Sequence, residues 1–296
     1  MVPSYDTDPE LLTRIQRATT KVLGEFHRVC EELGIAYTVY GGTAIGAVRH
    51  KGFIPWDDDA DICMPRSDYE RFLAEAPAHL GPDFRLLDPR TVPDYPQTFA
   101  VLGLAGTQFV SQAVRNRPFR MPIGVDLFPL DAMPDDATAF RRQSRRTWWW
   151  GRLLFLRGTP SPAVSLTFPL GPAASLVMHG VHWGLRALRV TPRALQRRWE
   201  RAARSFEKTE TPWLADYSTR DPKHWSVRRE ELFPALDVPF EDITVRIPAA
   251  YDVVLTRGYG DYMRIPDPQD RVTHEPFHID FGPNDPGPEA PEEAGA

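Results

Sequence analysis

Four carboxylates crowd one short stretch of this chain, GFIPWDDDADICM, as Asp57, Asp58, Asp59 and Asp61. Like charges packed this closely cost free energy unless something positive sits among them. Asp59 and Asp61 stand two apart at the start of a predicted strand, a spacing that puts both side chains on one face. Paired carboxylates at a strand end suit a hard divalent cation, Mg²⁺ or Mn²⁺, which takes oxygen ligands and keeps room for substrate phosphates. Just upstream, Gly41, Gly42 and Thr43 follow another predicted strand and open a predicted helix. Glycines there allow close backbone approach, and helix N-terminal N–H groups suit a phosphate. A third acid, Asp126, alternates with apolar Val125 and Leu127 in GVDLFPL. An inward carboxylate on an apolar strand needs a partner. If the two strands are neighbours, Asp59, Asp61 and Asp126 converge.

Other readings of these residues fail on spacing or context. Ile54, Pro55 and Trp56 before the acids, and Ile62 and Met64 after them, argue against a merely solvated loop. A calcium-binding EF-hand loop needs glycine at its sixth position and glutamate at its twelfth, where this chain has Ile62 and Asp68. GGTAIGAVRHKG carries neither the GK[ST] ending of a P-loop nor the dinucleotide-binding glycine spacing. There is no G-x-S-x-G elbow for a serine nucleophile. Cys30 and Cys63 are the only cysteines and read as reduced core thiols, too few for a cysteine zinc site. His179 and His182 share a helical face but lack a third ligand. Tyr259 and Tyr262 read as helix-end residues, with a ligand role as the alternative. His274 reads equally as a structural histidine or a donor contact.

Several elements must position the acids. Leu11, Leu12, Ile15, Ala18, Val22, Leu23, Phe26, Val29 and Leu33 recur at helical spacing from Pro9 to a stop at Gly34. IAYTVYGG reads as a strand, TAIGAVRH as a short helix and ADICM as a strand. RSDYERFLAEA reads as a helix capped by Ser67 with Glu70 at its third position. FRLLD, FAVLGLAG and VDLFPLD read as further strands, FEDITVRIP as another, and AAYDVVLTRGYG as a helix ending on glycine. This order predicts an α/β (α+β) fold, a mixed sheet flanked by helices.

The middle of the chain differs. A basic, aromatic helix, ATAFRRQSRRTWWWGRLLFLR, leads into 158–185, where Asp, Glu, Lys and Arg are absent. Prolines 160, 162, 169 and 172 make that stretch poor material for a spanning helix. Two readings stand: a buried helical hairpin, or a membrane-facing patch flanked by Arg145, Arg146, Arg152, Arg157, Arg186 and Arg189. The charged helix PRALQRRWERAARSFEK follows. The division expected is a catalytic core over 1–135, a helical and partly apolar insertion over 136–210, the rest of the catalytic domain over 211–282 and a disordered tail over 283–296. A net charge of −5 argues against a nucleic-acid binder. MVPSYDTDPELL lacks the basic and apolar regions of a secretory signal. The expected location is the cytoplasm, at the cytoplasmic face of the membrane if the patch faces lipid.

The block YGGTAIGAVRHKGFIPWDDDADICMPRSDYERF resembles the signature of the LicD family, which includes bacterial phosphocholine transferases and fukutin-related proteins. VDLFPLD is similar to that family's second acidic strand, and FPALDVPFEDITVRIPAAYDVVLTRGYGDYMRIPDPQDRVTH to its C-terminal block. Residues 20–130 and 225–280 carry the resemblance. It implies a nucleotidyltransferase-like fold in which a glycine turn and three acids bind a divalent metal and a nucleotide diphosphate. It also implies transfer of a phospho-alcohol, such as phosphocholine or a polyol phosphate, from a CDP-activated donor to a glycan or lipid-linked glycan, with release of CMP. On the matched positions Asp59 and Asp61 are the paired metal ligands and Asp126 the third acid and candidate base. Gly41, Gly42 and Thr43 line the donor phosphates, Arg49 and Lys51 neutralise diphosphate oxygens, and Asp57 and Asp58 orient the ligands.

Two further functions share these residues. One keeps the fold but attaches the nucleoside monophosphate itself to a small molecule or protein. The other is a membrane-peripheral scaffold without turnover. The WWW run at 148–150 and the proline-rich uncharged middle depart from the family pattern, so the acceptor is the least legible part of the reaction.

Overall fold

A computed structural model describes residues 5, 8–160, 170–271, 273–274 and 276–287 of the 296. The first helix, α1 (Pro9–Leu33), starts at Asp8, whose carboxylate accepts from the Leu11 N–H at 3.2 Å, and stops at Gly34 in the left-handed region, as expected. A short strand β1 (Thr38–Val39) runs directly into α2 (Gly41–His50). Next come β2 (Asp61–Pro65) and α3 (Arg66–Glu75). The strands β3 (Phe84–Leu87), β4 (Ala100–Leu104), β5 (Gln108–Ser111) and β6 (Gly124–Ala132) follow.

The main sheet runs β1-β2-β6-β4-β3, with β2 and β6 parallel and the other pairs antiparallel. The nine-residue β6 is its axis. Its first half pairs with β4, and its last residues pair with β7 (Trp213–Asp216), which in turn pairs with β8 (Val227–Arg228). Between β6 and β7 the chain leaves the sheet as three helices, α4 (Ala137–Gly158), α5 (Leu170–Ala187) and α6 (Pro192–Ala203). It then closes through α7 (Arg229–Leu232), the hairpin β9 (Leu236–Phe240) and β10 (Ile243–Ile247), and α8 (Tyr251–Tyr259). The last strand, β11 (Pro276–Asp280), pairs with β5. The expected mixed α/β architecture is the one observed.

Strand parity sets the two faces. Ile62, Met64, Val125 and Leu127 join α1 residues Ile15, Val22, Leu23 and Phe26 in the largest apolar core. Cys63 joins Leu130, Leu214 and Val227 in a smaller cluster, against which Tyr40 and Phe128 pack. Asp61 has the parity of Cys63, and Asp126 that of Phe128, so both acids leave the sheet on the face opposite α1.

Three local expectations need correction. FEDITVRIP is not one strand: the chain turns at Glu241 and Asp242, and only β10 lies within it. Ser67 does not cap α3. That helix begins at Arg66 after Pro65, and the Ser67 hydroxyl donates to Asp68 instead. Nor is Glu70 its third residue, which is Asp68; Glu70 faces a cationic group formed by Arg66, Arg90 and Arg204. Beneath it lies a buried bidentate pair, in which Arg66 donates to both Asp131 carboxylate oxygens at 2.9 and 2.6 Å. This pair clamps α3 to the far end of β6.

In the middle of the chain α4 and α6 are packed, burying Leu154, Leu156, Leu195 and Trp199. The described part of the uncharged stretch does not form a buried hairpin, because Leu176, Val177, Trp183 and Leu188 on and after α5 are 55–77% exposed. Residues 161–169 of that stretch, and the expected tail beyond 287, lie outside the described residues. No described helix is long and apolar enough to cross a membrane.

Candidate active site

The register of β2 and β6 puts Asp61 directly beside Asp126. Their backbones are tied to the turns around them. The Asp61 N–H donates to the Thr43 hydroxyl at 2.8 Å, and the Asp126 N–H to the Ala60 carbonyl at 2.9 Å. The Asp61 carbonyl accepts from the Tyr40 N–H at 2.8 Å, which brings the N-terminus of α2 against the acids. Only glycine permits that approach. A Cβ on Gly42 would stand 2.7 Å from Asp57 Oδ2, and Gly41 adopts φ +54°, a backbone few other residues accept.

Asp57, Asp58 and Asp59 occupy the loop before β2, so Asp59 is not on the strand as its spacing suggested. The Asp58 side chain is 1% exposed and accepts three hydrogen bonds. They come from the Tyr5 hydroxyl, the His274 N–H at 3.2 Å and the His274 ring at 3.3 Å. Asp59, with 45% of its side chain exposed, lies 3.3 Å from the same ring nitrogen.

The acids press each other's pKa upward. Burial, then the charges of Asp59 and Asp58, push Asp57 up to about 8. Burial and Asp59 push Asp126 up to about 8. Asp61 is raised well above the usual carboxylate range by burial, Asp59, Asp126 and Asp57. His274 is lifted to about 9, chiefly by its hydrogen bond to Asp58 and with help from Asp59. Mutual repulsion of this kind is what a cation among the acids would relieve.

Two clefts meet at this centre. The larger, about 700 Å³, is lined by Gly42, Asp57, Asp61 and Trp56 and by Arg49, Arg264 and Arg271. The Arg271 guanidinium lies 4.2 Å from the centroid of the Trp56 ring. The smaller, about 290 Å³, is lined by Asp58, Asp126, Gln97, Ser111 and Arg117. Asp59 and His274 border both, whereas Asp61 borders only the larger and Asp126 only the smaller.

The expected donor-binding residues separate in space. Gly42 and Arg49 line the larger cleft, and Arg49 is braced by donating to the Tyr262 and Arg264 carbonyls at 2.7 and 3.3 Å. Thr43 is buried behind Asp61, and Lys51 caps the far end of α2, exposed and away from either cleft. Tyr259 and Tyr262 both line the larger cleft, and the Tyr262 hydroxyl donates to Asp252 at 2.9 Å. His179 and His182 bind the Pro160 and Leu156 carbonyls and join no metal-like grouping among the described residues. Arg264, Arg271 and Arg117 were not singled out from the sequence. They sit in loops where nothing local marks them.

A divalent cation suits the donor set. Ligand atoms of Asp58, Asp59 and His274 lie within 4.8 Å of one another, and Asp61 and Asp126 add two carboxylates on the neighbouring strands. Oxygen-rich, mutually repelling and half-open, the group fits a hard divalent cation.

Residues 34–139 match the family model described as LicD/FKTN/FKRP, nucleotidyltransferase domain. Over that stretch the chain is similar to the LicD family. It is 53% identical over 58 residues to the lipopolysaccharide cholinephosphotransferase LicD of Haemophilus influenzae, covering 20% of this chain and 22% of that protein. It is 38% identical over 52 residues to an uncharacterized protein of Rickettsia typhi, covering 18% of this chain and 17% of that one. The chain thus aligns with about a fifth of the length of these relatives.

Proposed function

We propose that this chain is a metal-dependent phosphotransferase. It moves a phospho-alcohol, phosphocholine or a polyol phosphate, from a CDP-activated donor to a hydroxyl of a cell-surface or lipid-linked glycan and releases CMP. The observation that carries this reading is the division of acids between two clefts. Asp61 faces the arginine-lined one, Asp126 the other, and Asp59 stands at their border. A donor diphosphate in the larger cleft and an acceptor hydroxyl in the smaller would approach each other at Asp59. The LicD-type domain and the cholinephosphotransferase relative support the same class.

In this reading Arg49, Arg264 and Arg271 neutralise donor oxygens, and α2 offers its N-terminal N–H groups through Gly42. Asp59, Asp61 and Asp126 hold the cation, while Asp58 and His274, already bonded to each other, fix the loop. A bound Mg²⁺ or Mn²⁺ supplies neutralisation of charge developing on the diphosphate. The acceptor oxygen attacks the distal phosphorus, the bond to the bridging oxygen breaks, and CMP departs with that electron pair. Asp126, ionised once the centre is neutralised, receives the acceptor proton.

The helices over 136–210 are read as an insertion that meets the acceptor or the membrane at the cytoplasmic face. Trp148 and Trp149 are exposed beside a groove lined by Arg141, Arg142, Arg145 and Arg146, and α5 exposes Leu176 and Trp183. An anionic lipid surface attracts that combination.

The test is incubation with CDP-choline, CDP-ribitol and CDP-glycerol plus Mn²⁺, with CMP measured against an Asp59→Asn/Asp61→Asn variant. Acid-dependent CMP from one donor names the head group. Diphosphate release from CTP or ATP, with a nucleotide left on a product, would replace this reading by nucleotidyl transfer.

A further inference from the structure

The two buried arginines among the described residues are treated differently. Arg66 is neutralised by Asp131, whereas Arg117, only 3% exposed, has no carboxylate within 4.0 Å among the described residues. Its Nε donates to the Thr159 hydroxyl at 3.1 Å, and its guanidinium lies 5.3 Å from the Phe155 ring centroid. Its terminal nitrogens have no hydrogen-bond partner among the described residues, and the side chain borders the smaller cleft. Burial lowers it to about 10, so it is still a cation at neutral pH. A buried, uncompensated charge is costly, and one facing a cavity calls for an anion from outside.

We infer that the smaller cleft is an acceptor subsite in which Arg117 grips an anionic group, a phosphate or a carboxylate, on the molecule whose hydroxyl faces Asp126. The word acceptor rests on the phosphotransferase reading; the anion site does not. Arg117 is a positioning residue. Its planar fork matches either anion bidentately and holds the attacking hydroxyl on the Asp126 side of the centre. Phe155 and Thr159 belong to the end of α4, so this subsite is walled by the helices proposed to meet the membrane. An acidic acceptor would thus enter from that side.

The experiment titrates the full chain calorimetrically in EDTA with inorganic phosphate, with glucuronate and with neutral glucose. Wild type is expected to bind at least one anion and not glucose, and the anion bound names the source. Arg117→Gln should weaken that binding at least tenfold and Arg117→Lys severalfold, because a lysine keeps the charge but loses the fork. Arg85→Gln, exposed on β3 and lining neither cleft, should bind as wild type does. Absence of anion binding by wild type overturns the inference. So does wild-type binding by both Arg117 variants, or loss of binding in Arg85→Gln alone. If Arg117→Gln does not fold, Arg117→Lys and wild type still decide. Donor-dependent CMP release is scored separately. Its failure with anion binding intact would remove the phosphotransferase reading and leave the anion site.

Discussion

Asp57 and Asp126 at about 8 and His274 at about 9 all hold their protons more tightly in the folded chain than in the unfolded one. Raised folded pKa values give stability that is complete below the unfolded values and is lost as pH rises through 8 and 9. The metal-free protein should therefore melt at progressively lower temperature as pH rises from about 5 to about 9. A divalent cation displaces those protons, so its stabilising effect should run the other way. Differential scanning fluorimetry at pH 5.5 and pH 8, with and without Mn²⁺, checks this. The Mn²⁺-induced rise in melting temperature should be larger at pH 8, and a larger rise at pH 5.5 would refute the cation site. Most of this centre was legible in the sequence, because an acidic run flanked by Trp56 and Ile62 has few bland explanations. His274 stood only as an even choice, being 216 residues from Asp58 in the chain. Its role follows from a tertiary contact that no local pattern encodes.

At the scale of elements, the centre depends on two close approaches. Gly42→Ala would push a methyl group into Asp57. It should lower Mn²⁺-dependent turnover by about 10–100-fold, the usual effect of disturbing groups that orient a metal site, while the far-ultraviolet circular dichroism is kept. Unchanged turnover would mean that α2 does not set the acids. The second is the Arg66–Asp131 clamp, buried at 7% and 1% side-chain exposure. Arg66→Met alone leaves Asp131 uncompensated and should cost about 3–5 kcal/mol in urea unfolding, whereas adding Asp131→Leu should recover most of it. The alternating strand β6 and the apolar run of β2 were predictable from sequence. Short strands such as β7 and β11 were not, since their few residues are held by pairing to β6 and β5 and not by their own propensity. For the same reason Asp59 fell in a loop: the ladder with β6 begins only at Asp61.

Over the whole molecule, an acidic face made by the sheet adjoins a helical excursion between β6 and β7 whose outer surface is aromatic and basic. If that surface meets anionic lipid, the full chain should float with phosphatidylglycerol-containing liposomes at low salt and be released as ionic strength rises. Trp148→Ala/Trp149→Ala should reduce flotation several-fold without changing Mn²⁺ binding. Wild-type protein that remains at the bottom of the gradient at low salt would end the membrane reading. The sequence left this excursion open between core and patch. Helical periodicity says which residues share a face, but the choice depends on whether α4 and α6 cover α5, and they leave Leu176 and Trp183 exposed.

The most direct test of the account is Mn²⁺ titration followed by electron paramagnetic resonance on wild type, Asp61→Asn, Asp126→Asn and His274→Ala. The account predicts one Mn²⁺ per chain in wild type, lost in Asp61→Asn and Asp126→Asn and weakened by roughly 10–100-fold in His274→Ala. Full Mn²⁺ binding by both aspartate variants, with loss only in His274→Ala, would contradict it and place the cation on Asp58, Asp59 and His274 instead.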